Sequence, residues 1–160
     1  MTHIEVSQKI DTTKKANLAE LKYALTQRIR GAFHVETVGD GEDNFTIVAG
    51  RKSEFLGTFI YRFQLNVLLK SSTKRACIVV NGNTELTQST RILYIILAVL
   101  ILLFGLFPHP STLVSSGTSF NTIVLLLIGL FVFFDTNRKL AEPQTYLKRI
   151  LESLDVEFGK

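Results

Sequence analysis

Three histidines, one cysteine and one glycine-acid cluster are the residues whose chemistry could exceed packing. His3, His34 and His109 lie far apart and lack metal-ligand spacing. His3 and His34 can meet only if their strands pair, and two surface histidines are the simpler reading. Cys77 has no histidine near it in sequence, and on an apolar strand it reads as a small packing residue, not a nucleophile. The stretch VGDGEDN carries two glycines but neither a following Gly-Lys-Ser/Thr nor a helix, so it reads as a hairpin turn and not a phosphate loop. Glu36, Asp40, Glu42 and Asp43 lack the ordered spacing of a calcium loop and read as a solvated acidic turn. No catalytic constellation, metal set or cofactor motif emerges. The expectation is a protein that is not an enzyme and carries no cofactor.

The charge column shows how these residues are held. All 18 Lys and Arg and all 14 Asp and Glu lie outside residues 92–134. The sequence RILYIILAVLILLFGLFP and the run from Ile123 to Phe134 are both strongly apolar, with Pro108, His109 and Pro110 between them. This pattern predicts a two-helix transmembrane hairpin over 89–136, with spans about 90–107 and 118–135. A re-entrant hairpin that does not cross is the alternative. Arg91 before the first span and Arg138 and Lys139 after the second, against a connection without Lys or Arg, place both termini in the cytosol. The start, MTHIEVSQKIDTTKK, lacks a signal-peptide core, and a lone cysteine suits a reducing compartment. The localisation expected is an integral membrane protein with two spans.

The flanks read as one α+β domain with an antiparallel sheet. Residues 3–10 alternate as a strand, and Leu18, Leu21, Leu25 and Ile29 form a helical stripe that starts at an Asn17–Glu20 capping box or nearer Thr13, with Gly31 as its stop. Strands follow at 33–38 and 44–50, around the GDGED turn. Residues 58–70 form the clearest strand, with Phe59, Tyr61, Phe63, Leu65, Val67 and Leu69 on one face and Arg62, Gln64 and Asn66 on the other. Residues 75–83 are its hairpin partner. Pro143 suits the first turn of a last helix, whose Leu147, Ile150, Leu151, Leu154 and Phe158 make an apolar stripe that either completes the domain's core or lies on the membrane surface. The divisions expected are 1–88, the first part of the domain; 89–136, the hairpin; and 137–160, the helix completing the core. The order β-α-β-β-β-β…α, interrupted by the hairpin, resembles that of TBP-like domains and, more loosely, the helix-grip class. Element order alone carries no function across.

Three functional readings follow. The first is a membrane-anchored, non-catalytic interaction or regulatory module with a membrane-protein partner or a second copy. The second is a lipid- or apolar-ligand-binding domain at the membrane, lined by Phe59, Tyr61 and Phe63. The third is a ligand-sensing membrane effector, with Lys14, Lys15, Arg28, Arg30, Arg51 and Lys52 attracting an anion. The lipid bilayer is an expected partner in all three, with Lys74, Arg75, Arg91, Arg138 and Lys139 as headgroup contacts. The net charge of +4 is too modest to imply nucleic acid.

Overall fold

The computed structural model describes residues 2–11, 17–54, 57–72, 75–106 and 120–159. It is an α+β fold of two compact units. The first comprises Met1–Thr87 and Leu140–Lys160; the second is Gln88–Lys139.

In the first unit, β1 (Thr2–Asp11), β2 (His34–Val38), β3 (Asn44–Lys52), β4 (Phe59–Ser71) and β5 (Arg75–Leu86) make one antiparallel sheet. The strand order is β1-β5-β4-β3-β2. The period-2 pattern drives this arrangement, because alternate residues of each strand must leave water together. Phe45, Ile47 and Ala49 of β3, Tyr61 through Leu69 at alternate positions of β4, and Ala76, Ile78 and Val80 of β5 are buried on one face. Strand β5 runs on to Leu86, past the Asn83 at which its sequence pattern ends.

Helix α1 (Leu18–Ala32) starts at Asn17, whose side chain accepts from the Ala19 N–H at 3.0 Å. It passes through Gly31, the expected stop, and ends at Phe33, which turns extended while its N–H still donates to the Ile29 carbonyl. Leu21, Leu25 and Ile29 deliver their stripe to the sheet. The last helical stretch of this unit adds Leu147, Ile150, Leu151 and Leu154 to the same core. Arg28 of α1 bonds Ser153 and Glu157 of that stretch, and Gln8 of β1 donates to Asp155 at 3.1 Å.

The second unit contains α2 (Gln88–Leu106) and the first part of α3 (Phe120–Phe158). The expected transmembrane hairpin is overturned: among the described residues no helix is long and apolar enough to cross a membrane. The physical reason is length. The uncharged part of α2 begins only at Ile92, and that of α3 ends at Phe134 before Asp135. Among the described residues these uncharged parts are 92–106 and 120–134, each roughly 22 Å at about 1.5 Å per residue, against a hydrocarbon core of about 30 Å. Of Ser116 to Thr122, expected to extend the second span backwards, residues 116–119 lie outside the described residues, as do His109 and its prolines. With the spans go the two-span localisation, the membrane-anchored module, the membrane-side lipid-binding domain and the membrane effector.

Helix α3 also differs from expectation at Pro143, which lies inside it and not in its first turn. Proline lacks the N–H that would bond the carbonyl four residues back. That carbonyl belongs to Lys139, the residue at which the two units divide.

Candidate functional site

Among the described residues of this unit, helices cover one face of the sheet, and the other carries a central row of exposed polar side chains beside the half-buried Val48, Leu68 and Val79. From β4 come Arg62, Gln64 and Asn66, and from β5 Asn81 and Asn83, all exposed. The register sets Gln64 beside Asn83 and Asn66 beside Asn81. On the outer sides, Asn83 faces His3 of β1, and Asn66 faces Thr46 of β3. Hydrogen bonds follow this register: His3 Nδ1 to Asn83 Oδ1 at 3.2 Å, and Thr46 Oγ1 donating to Asn66 Oδ1 at 3.2 Å. The result is a row of side-chain amides at the centre of the face, each able to donate and accept. A depression of about 370 Å³ lies over it, lined by Val48, Arg62, Gln64, Asn66, Asn83 and Glu85 among others. Arg62 donates to Glu36 at 2.8 Å and lies over the Phe59 ring, 4.6 Å from its centroid.

Two glycines allow the strands beneath this row to approach. A Cβ at Gly82 would run into the Gln64 carbonyl oxygen, and one at Gly50 into that of Tyr61. Both obstacles are backbone and cannot swing aside. Gly82→Ala is therefore expected to destabilise the domain by about 1–3 kcal/mol, read as a lower denaturation midpoint. Gly31→Ala, with no atom within 4 Å of its Cβ, should instead leave the fold stable.

Phe59, Tyr61 and Phe63, expected to line an apolar pocket together, are separated. Tyr61 pairs with Arg51 but Phe59 with Lys52, so Ile60 is an extra residue in β4. This bulge turns Phe59 to the polar face, where it stacks near His34, Lys52 and Arg62. Tyr61 and Phe63 stay buried, and Phe63 meets Phe33 edge-on at 4.9 Å. The Tyr61 hydroxyl donates to Glu142 at 2.9 Å, and the same carboxylate pairs with Arg51. Burial, then the Glu142 carboxylate, pushes the Tyr61 phenol well above its ordinary range. The Glu142 charge likewise raises Arg51. Sequence reading missed Glu142, because nothing local marks it as the partner of residues so distant in the chain.

The other expected residues scatter. Cys77 is half-buried on the open face, between Lys9 and Lys70 in register, and not in the core. Lys22, not an acidic residue, organises the GDGED turn, donating to the Gly39 and Gly41 carbonyls at 2.8 Å each. Of the proposed anion-attracting residues, Arg28 and Arg51 are paired with Glu157 and Glu142, and Lys52 lies over Phe59. Lys14 and Lys15 lie outside the described residues. So does Lys74, one of the expected headgroup contacts; Arg75, Arg91 and Arg138 are exposed. Lys139 donates to Asp135 at 2.5 Å and to the Tyr94 hydroxyl at 3.0 Å, closing a polar triangle with the Tyr94–Asp135 bond of 2.7 Å. Burial pushes Asp135 up, but these bonds and the Lys139 charge outweigh it and hold its carboxyl below the ordinary value. Among the described residues no group of three or more His, Cys, Asp or Glu could hold a metal ion. Comparison with protein-family models, curated proteins and solved structures gives no match.

Proposed function

We propose that the protein is a non-catalytic recognition module that binds a polar protein surface on the open face of its sheet. The observation that carries this reading is the amide row of Gln64, Asn66, Asn81 and Asn83, of which Gln64, Asn66 and Asn83 line a depression of about 370 Å³. Amides can exchange hydrogen bonds with peptide groups in either sense, and they carry no charge that must be desolvated. The Arg62–Glu36 pair at the rim supplies directional contacts beside them. A nucleic acid suits the face poorly, since Glu5, Glu36 and Glu85 share it with its basic residues and would repel phosphates.

The test is affinity purification of the full chain at native expression, wild type beside the double variant Gln64→Lys, Asn83→Lys. Circular dichroism verifies the fold of both. Proteins recovered with the wild type should fall at least about tenfold with the variant, the scale of a central interface contact worth 1.4 kcal/mol or more. An unchanged set of partners, or none with the wild type, would overturn the reading.

A further inference from the structure

The two edges of the sheet are built differently. At one edge, β2 covers only His34–Val38 and is broken by a bulge between Val35 and Thr37. Short length and a bulge are standard protections against a further strand. At the other edge, β1 covers Thr2–Asp11 and pairs with β5 at every position in unbroken register. It has no proline and no bulge, and the described sheet ends there. One side of its backbone is therefore a template for another strand.

The residues of β1 identify what fits. His3, Glu5, Ser7 and Lys9 are exposed on the open face, while Ile4 and Ile10 are buried on the core face. Among the described residues neither Glu5 nor Lys9 has an ion-pair partner. If a second β1 lies antiparallel, with the two-fold axis at Ser7, Glu5 of each copy stands opposite Lys9 of the other. Ile4 then stands opposite Ile10, and each Ser7 meets its equivalent. Moving the axis one position toward the N-terminus, to Val6, sets Glu5 against Ser7 and Lys9 against His3, with no opposite charges facing. Moving it to Glu5 sets the two glutamates against each other. The face-to-face rule of sheets permits these registers equally, so the charges select among them.

We propose that two copies of this chain pair antiparallel through β1, with Ser7 on the two-fold axis, to form one continuous sheet. The partner is a second copy because the strand is charge-complementary to itself in this register. Such an interface is isologous and closed, so association stops at the dimer. The open polar face then continues across both copies.

Charge reversal and cross-linking test this on the full chain. Wild type should sediment as a dimer. Glu5→Lys places two lysines together twice across the axis, and Lys9→Glu does the same with glutamates. Each alone should weaken the dimer by about tenfold or more, while an equimolar mixture of the two variants should recover it as a heterodimer. Unchanged circular dichroism shows that the single variants remain folded. In a Cys77→Ala background, Ser7→Cys should form an intermolecular disulfide under mild oxidation, and Glu5→Cys should not. A monomeric wild type, single variants as dimeric as wild type, no recovery on mixing, or equal cross-linking from positions 5 and 7 would overturn the proposal.

Discussion

Leu151→Ala is expected to cost about 2–5 kcal/mol of folding stability, measured as a lower urea midpoint at unchanged slope. Leu151 is fully buried, among Leu147, Ile150 and Leu154 of α3, in the cluster that includes Phe63, Leu65 and Ile29. Truncation removes apolar surface from a close-packed site and leaves a cavity that neighbours fixed on a sheet cannot collapse to fill. Domains of this kind are stable by only about 5–15 kcal/mol, so this one change takes a large share. Val156 lies two positions beyond Leu154 in the same helix and is 69% exposed. Val156→Ala should move the midpoint by no more than about 0.5 kcal/mol. Equal effects at the two positions would contradict the assignment of α3 to the core.

Glu142→Ala should be nearly as costly, for a different reason. The Tyr61 hydroxyl sits on a fully buried side chain and donates to Glu142. Without that acceptor a buried donor is stranded, at about 1–3 kcal/mol. Glu142→Gln keeps an acceptor and should lose less. The pH dependence gives an independent reading. Burial first, then Glu142, raises the Tyr61 ionisation above its ordinary value. The unfolded chain releases this proton near pH 10, while the folded chain still holds it. The unfolded state then binds fewer protons, so stability falls as pH rises. The contribution is fully present below about pH 10 and is lost progressively above it. Tyr61→Phe should flatten this alkaline limb, seen by comparing urea midpoints at pH 8 and pH 11. An identical decline in both proteins would show that Tyr61 does not carry it.

Much of this architecture is legible in the chain. The alternation in residues 58–70 states both the strand and its buried face, and the leucine stripes of α1 and α3 state which side of each helix seeks cover. These signals are local, because secondary structure imposes short periods on the positions that leave water. Local reading failed where spatial counting mattered. The uncharged block over 92–134 looked long enough for two crossings, yet no helix among the described residues is long and apolar enough to make one. Phe59 broke the alternation because one extra residue, Ile60, reverses a side chain's face without altering the composition of the strand.

The candidate surfaces divide in the same way. The polar positions of β4 and β5 are visible as alternation, but a sequence period does not say which strands become neighbours. Register placed Gln64 beside Asn83 and Asn66 beside Asn81, turning separate polar residues into one row. Folding also put Glu142 against Arg51 and Tyr61, and left β1 at the sheet edge after pairing it with β5. The sequence by itself determined the elements and their apolar faces, since these depend on neighbours within a few residues. Tertiary structure alone decided the amide row, the buried tyrosine–carboxylate bond and the open edge, since each depends on strands that meet across long stretches of chain.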